Sequence, residues 1–208
     1  MYRHVFWDLG GTLVDTYPQL DEALAGVVRA HGRQVATTHV AVWTRRSTGA
    51  AIAELSRAYG IPVAEFEAAE AQLKRLWHQH PAPAMPGARQ LMDDIAVAGG
   101  LNLVVTHRDR ASAMALVGGL DLPVDDLIST ADGYPRKPDP AMYLAMLAAH
   151  DLAAADCLAV GDRPIDAEAA HAAGMKAAML ESAAAPVDDE AEYSVEALDE
   201  LRPFLGLQ

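Results

Sequence analysis

An aspartate at the end of a short apolar run is the first residue whose setting suits chemistry. Val5-Phe6-Trp7-Asp8-Leu9-Gly10-Gly11-Thr12-Leu13 reads as a buried strand stopped by a glycine turn, with Asp8 at its carboxyl end. Open α/β sheets gather their reactive groups at that edge. Three later stretches have the same form: Thr106-His107-Arg108, Arg136-Lys137-Pro138, and Gly161-Asp162-Arg163-Pro164-Ile165-Asp166. Each alone has an ordinary explanation. Thr106 suits a helix cap, Lys137 a solvated charge, and Asp162 a turn. Together they supply a carboxylate nucleophile, a hydroxyl, an ammonium and two further acids, which are the groups phosphoryl transfer uses. The chain has only three lysines, Lys74, Lys137 and Lys176, so Lys137 has no substitute in these motifs.

The elements that must position these groups are readable from periodicity. From about Tyr17 to His80 apolar residues recur at helical spacing, as in Leu20, Leu24 and Val28 or Phe66, Leu73 and Trp77. Breaks at Gly32, Ser47-Thr48-Gly49 and Gly60-Ile61-Pro62 divide this into about four helices. Pro81, Pro83 and Pro86-Gly87 close it off. Helix and strand then alternate: a helix from Gly87 to Ala98, a strand at 101–106, a helix from about Asp109 to Leu116, and a strand at 127–129. Asp139 is expected as an N-cap with Pro140 at the first helical position, opening a helix to His150. A strand at 158–160, a helix from Pro164 to Ala173 closed by Gly174, a strand from Lys176 to Leu180, and a final helix from Val195 to Leu205 complete the chain. Ala183-Ala184-Ala185-Pro186 is expected to be a loop. The alternation implies an α/β fold, a doubly wound parallel sheet with helices on both faces.

Composition bounds the function. The chain has 208 residues, enough for one large domain or a core with an insert. Its formal charge is 16 − 29 = −13, which disfavours nucleic acid, a partner bound through clustered Lys and Arg. Small anionic substrates remain compatible, because local cations dominate a single pocket. No apolar run reaches the ~20 residues of a membrane span, and the first strand begins almost at Met1, so no membrane and a cytoplasmic location are expected. Cys157, the single cysteine, allows neither an internal disulfide nor a cysteine zinc site.

The ordered motifs, Asp8 with Gly11-Thr12, a strand ending at Thr106, Lys137-Pro138-Asp139-Pro140, and Gly161-Asp162 with Asp166, resemble the haloacid dehalogenase superfamily over nearly the whole chain. The helical insert resembles its C1-type cap, as in phosphoglycolate phosphatases and β-phosphoglucomutases. The resemblance implies a Rossmann-like core at 1–16 and 82–208 with a helical-bundle cap at 17–81. It implies an Mg²⁺-dependent phosphatase acting on a small phosphorylated metabolite, with Asp8 forming an aspartyl-phosphate. Asp8, the Gly10 carbonyl and Asp162 would hold the metal, and Asp166 would steady metal-bound water or orient Lys137. Thr106, the His107 N–H and Lys137 would bind the phosphoryl group. A monomer or homodimer fits.

One position departs from the pattern. Phosphatases of this superfamily usually carry a second Asp two residues after the nucleophile, which protonates the leaving oxygen and then activates water. Here it is Gly10, a residue that also suits a tight turn. General acid–base catalysis typically contributes roughly 10²–10⁴-fold. If the chain is a phosphatase, another group, water or the substrate itself handles the proton, and His107, Asp15, Asp109 or a cap residue are the candidate groups. A phosphonatase lacks this Asp but needs a cap lysine, and only Lys74 is available, on a helix face expected to be solvated. A 2-haloacid dehalogenase lacks the Gly161-Asp162 metal motif. A response-regulator receiver has no such helical insert. A non-catalytic phospho-ligand-binding protein of the same fold is the remaining alternative.

In the cap, Arg45-Arg46-Ser47-Thr48-Gly49 is the stretch that suits substrate contact, through Arg45, Arg46 and Thr48, and Arg108 borders the site. His78 and His80, two residues apart, do not share a helix face and give no metal site. Trp43 and Trp77 are expected in the cap core.

Overall fold

The computed structural model describes residues 1–182, 184 and 191–208. Of the expected loop at 183–186, only Ala184 lies within them. Six strands form one parallel sheet in the order β3-β2-β1-β4-β5-β6. The strands are β1 His4–Trp7, β2 Asn102–Val105, β3 Asp126–Ile128, β4 Cys157–Gly161, β5 Lys176–Leu180 and β6 Tyr193–Val195. The order reverses between β1 and β4, and such reversals open a crevice at the carboxyl edge of a doubly wound sheet. Register aligns the strand ends: Trp7 lies beside Val104 and beside Val160. The Asp8 N–H donates to the Val160 carbonyl at 2.9 Å, so the first loop leaves the sheet against the end of β4.

Four helices separate β1 from the next strand: α1 Tyr17–Ala30, α2 Thr37–Thr44, α3 Thr48–Tyr59 and α4 Val63–Trp77. Pro18 suits the first turn of α1, where no backbone N–H is needed. Ser47 caps α3 by accepting the Ala50 N–H, and Gly60 ends it in the left-handed region. The remaining helices are α5 Ala88–Val97, α6 Arg110–Gly119, α7 Ala141–Ala149, α8 Pro164–Ala172 and α9 Arg202–Leu205.

Alternate strand residues point to opposite faces, and the core divides accordingly. Val5, Trp7, Val104, Leu158 and Val160 pack on one side in a cluster that continues into Leu24, Val28, Ile52, Phe66 and Trp77 of the inserted helices. Phe6, Leu103, Val105 and Ala159 pack on the other side with Met142, Tyr143 and Met146 of α7 and Ala169 and Ala170 of α8. Trp77 is buried as expected, whereas Trp43 is half-buried beneath the Arg46 guanidinium.

Three local expectations are corrected. Pro140 occupies the cap position of α7, and the helix begins at Ala141. Asp139 still serves that end, because its Oδ1 accepts the Ala141 N–H at 2.9 Å. The segment from Val195 is not one helix. Tyr193–Val195 is an edge strand, and a 3₁₀ turn at Leu198–Leu201 precedes the short α9. Ser194 points outward between two strand neighbours, and three residues carry too little alternation to be read as a strand. Gly10 is not the turn glycine. Gly11 has φ of 97° and carries the left-handed step, whereas Gly10 lies outside that region.

Candidate active site

The four loops meet at the carboxyl edge of β1, β2 and β4. Asp8 follows β1, Thr106 follows β2, and Asp162 follows β4, and all three side chains are buried. A tight loop follows Asp8, in which the Leu13 and Val14 N–H groups both donate to the Leu9 carbonyl and Gly11 N–H donates to the Val14 carbonyl. A Cβ on Gly11 would fall 2.6 Å from Asp162 Oδ2 and 2.3 Å from the Tyr17 ring. Glycine at 11 therefore serves two ends, the positive φ and the close approach of the Asp162 loop.

Lys137 is the electrostatic centre. Its side chain is 0 % exposed, and a buried ammonium must satisfy three donors. It donates to Asp8 Oδ1 at 2.7 Å and to the Val105 carbonyl at 3.0 Å, and its third partner is Asp166 Oδ1. The pairing with Asp166 is the contact that one of the two sequence options calls for, Asp166 beside Lys137. Its other oxygen accepts the Arg163 N–H at 3.2 Å, which fixes the first turn of α8. Burial opposes the ammonium, but the Asp166 and Asp8 carboxylates outweigh it and hold Lys137 well above the ordinary lysine range. Burial also raises the Asp8 carboxyl, yet the Lys137 ammonium and the Arg163 guanidinium prevail and keep it below its usual value. Asp8 is thus an ionised, oriented carboxylate. Arg163 Nη2 stands 3.9 Å from Asp8 Oδ1.

Asp162 has a different environment. It accepts the Tyr17 hydroxyl at 2.7 Å and the Thr12 hydroxyl at 3.2 Å. Burial, then the charges of Asp8 and Asp166, push its carboxyl up to about 7. Three buried carboxylates share Lys137 and Arg163, so this edge has an excess of negative charge among oxygen donors.

A cavity of about 660 Å³ opens above these groups. Asp8, Gly10, Thr106, His107, Lys137 and Arg163 line its floor, and Arg46, Thr48, Ile52, Glu67, Glu70 and Lys74 line the wall formed by the inserted helices. Arg108 and Arg136 also border it. Arg46, Thr48 and Arg108 are therefore at the cavity as the sequence suggests. Arg45 is committed elsewhere: its Nη1 binds Asp21 Oδ2 at 3.0 Å, and its guanidinium lies 3.8 Å from the centroid of the Tyr17 ring. Lys74 is not on a solvated face. It reaches the cavity and pairs with Glu70 at 2.8 Å, one helical turn earlier.

The expected substitutes for a second acid fare differently. Asp109 caps α6 by accepting the Ser112 N–H at 2.9 Å, and neither it nor Asp15 lines the cavity. The His107 imidazole is half-buried at the cavity, and desolvation followed by the Lys137, Arg136 and Arg163 charges lowers it to about 3. It is neutral near pH 7 and has no proton of an imidazolium to give. The remaining acids at the wall are Glu67 and Glu70 on α4.

Sequence reasoning assigned no role to Tyr17, Thr12, Arg163 or Arg136. Arg163 stood inside a quoted motif, and its place directly after Asp162 was the available signal. Tyr17 carried none, because its contact with Asp162 spans 145 positions.

The chain is similar to known proteins in sequence and in fold. Residues 2–174 match the haloacid dehalogenase-like hydrolase family. The chain belongs to that family. A phosphoglycolate phosphatase of Rhodospirillum rubrum is 34% identical over 193 residues, covering 86% of this chain and 80% of that protein. Hexitol phosphatase A of Escherichia coli is 28% identical over 181 residues, covering 81% and 78%. Among solved structures, a family hydrolase from Deinococcus radiodurans with bound phosphate and sodium superposes with a TM-score of 0.82 at 20% identity, covering 99% and 95%. This family member is a phosphoric monoester hydrolase, and its sheet is the Rossmann-like core of the family.

Proposed function

We propose that this haloacid dehalogenase-like hydrolase is an Mg²⁺-dependent phosphatase of a small phosphorylated metabolite, working through an aspartyl-phosphate on Asp8. The observation that carries the reading is the Lys137–Asp8 pair, a buried carboxylate held ionised and facing a cavity. In the same reading residues 1–16 and 82–208 are the catalytic core, and 17–81 are a cap that supplies the upper wall. An acidic chain with no described helix long and apolar enough to cross a membrane suits a cytoplasmic enzyme with no nucleic-acid partner, as monomer or homodimer.

The residues present fit a hard cation. Asp8, the Gly10 carbonyl and Asp162 would hold Mg²⁺, and the surplus of buried carboxylate charge supports that. Among the described residues no three His, Cys, Asp or Glu side chains form a ready-made shell, so substrate oxygens and water would complete it. Asp166 stays outside, engaged by Lys137 and the Arg163 N–H. Bound Mg²⁺ supplies charge neutralisation between two anions that otherwise repel.

The chain's own groups do the rest. Asp8 attacks phosphorus in line with the departing oxygen. Lys137 holds the attacking carboxylate and offsets charge on the phosphoryl group. The Thr106 hydroxyl and the backbone N–H of His107 take phosphoryl oxygens. Thr106 Oγ1 accepts the Arg108 N–H at 3.2 Å, which leaves its own hydrogen free to donate. Water then cleaves the acyl phosphate and restores Asp8.

With Mg²⁺, p-nitrophenyl phosphate is expected to be hydrolysed. EDTA should abolish turnover, and added Mg²⁺ should restore it. EDTA-resistant activity contradicts the metal assignment. No turnover, with no phosphorylated Asp8 trapped, would favour the non-catalytic ligand-binding reading that Gly10 raises. Lys74 gives the phosphonatase reading little support, since an ammonium paired with Glu70 has no lone pair to attack a carbonyl.

A Gly10→Asp substitution is sterically narrow. Its Cβ would lie 3.1 Å from Thr16 Oγ1 and 3.5 Å from Arg108 Nη2. The new carboxylate is expected to pair with Arg108, and kcat for p-nitrophenyl phosphate to fall. A faster variant in steady-state assays would show that position 10 simply lacks an acid.

A further inference from the structure

Arg108 is one of the cavity arginines, with Arg46 and Arg136, that have no carboxylate partner among the described residues, and it is the one beside Gly10. Its Nη1 donates to Ser112 Oγ at 3.1 Å, and its guanidinium carbon lies 4.9 Å from the centroid of the Trp77 ring. Among the described residues no carboxylate is ion-paired with it, whereas Arg45 has Asp21 and Arg110 has Asp132. Nη2 has no hydrogen-bond acceptor among them either. A half-buried guanidinium with an open donor, on a cavity wall, is built for an anion that arrives from solution.

Its position says which anion. A Cβ at Gly10, two residues after the nucleophile, would lie 3.1 Å from Thr16 Oγ1 and 3.5 Å from Arg108 Nη2. Lys137 ties Asp8 to the Val105 carbonyl at the end of β2. In-line attack by Asp8 puts the departing oxygen on the opposite side of phosphorus, toward the cavity. Arg108 borders that cavity. A guanidinium does not give up its proton in a protein, so it cannot act as a general acid there. It can stabilise negative charge as it develops.

We propose that Arg108 receives the leaving oxygen as an oxyanion, in place of protonating it, and so restricts the enzyme to phosphates whose leaving group is acidic. This rests on Asp8 being the phosphoryl acceptor. The Asp8 Oδ–P bond forms as the P–O bond to the leaving group breaks. The electron pair stays on the departing oxygen, which pairs with Arg108. Water then adds its oxygen to phosphorus, Asp8 is released as carboxylate, one water proton remains on hydrogen phosphate, and the other neutralises the departed oxyanion or enters solvent. The favoured substrate class is aryl, enol and acyl phosphates, and simple alkyl phosphates are poor.

The test is a leaving-group series with Mg²⁺: acetyl phosphate, p-nitrophenyl phosphate, phenyl phosphate and glycerol phosphate. For the wild type, log kcat/KM is expected to fall steeply as leaving-group pKa rises. Arg108→Met should steepen that line, with a loss on the order of 10²-fold for phenyl phosphate and a much smaller loss for acetyl phosphate. Arg108→Lys, which keeps a charge and guards against misfolding as the cause, should fall between them. A wild-type line without slope overturns the inference while leaving the phosphatase reading intact. So does an equal loss on every substrate in Arg108→Met, which would make Arg108 a phosphoryl contact. Absence of turnover on all four, with no phosphorylated Asp8 trapped, overturns both.

Discussion

Asp8→Asn is expected to abolish turnover, with a loss on the order of 10⁴-fold or more in kcat, as removal of a covalent nucleophile produces elsewhere. The substitution keeps the side-chain shape but replaces an ionised oxygen with an amide, which cannot form the acyl phosphate. Folding should survive it. Lys137 keeps Asp166 and the Val105 carbonyl, and one member of a crowded group of buried carboxylates is neutralised. The check is a pair of measurements on one preparation: p-nitrophenyl phosphate turnover with Mg²⁺, and the thermal midpoint. Near wild-type kcat would remove Asp8 as nucleophile. A collapsed midpoint would show that the loss came from misfolding.

Lys137→Met should damage stability and activity together. The ammonium is wholly buried between Asp8 and Asp166, and removing one partner of a buried ion pair costs about 3–5 kcal/mol because the other charge is stranded. At about 2–4 °C per kcal/mol for a chain of this size, the thermal midpoint should drop by roughly 6–20 °C. The pH dependence has a definite sign. In the wild type the Asp8 carboxyl is held below its ordinary value, so its contribution is present above the usual carboxylate range and lost as pH falls through the depressed folded value. In the variant, burial and neighbouring carboxylates act without the ammonium and raise the folded value. Its deficit is then smallest below the ordinary carboxylate range and grows as pH rises through the raised value. The gap between wild type and variant should therefore be wider at pH 8 than at pH 5 in thermal or urea unfolding. Activity should fall by about 10²–10³-fold, and a variant with an unchanged midpoint at both pH values would contradict the central role given to this lysine.

Much of this site was legible before any fold. Asp8, Thr106 and Asp162 each end or follow an apolar run, and such runs become adjacent parallel strands with their carboxyl ends aligned, whereas Lys137 was legible from its Lys-Pro motif alone. The inserted helices were legible for the same kind of reason, since a 3.6-residue period persists over many turns and Gly or Pro punctuates it. Short or edge elements were not. β6 has three residues, and the segment beyond it breaks into a 3₁₀ turn and one helical turn, each too brief to carry a period.

By itself, the sequence determined which chemical groups lie at the sheet edge, the order in which strands deliver them, and that position 10 carries no acid. Those facts depend on residue type and local pattern, which the chain states directly. Only the tertiary structure decided what the groups do to one another. Asp166 turns to Lys137, Tyr17 reaches Asp162 across 145 positions, Arg45 is spent on Asp21, and Lys74 faces the cavity. It also moved the turn requirement from Gly10 to Gly11 and set Arg108, with no carboxylate partner among the described residues, beside the space that Gly10 leaves. The physical reason is that charge, burial and hydrogen bonding act over ångströms in space, and helix packing brings together residues that no spacing in the sequence relates.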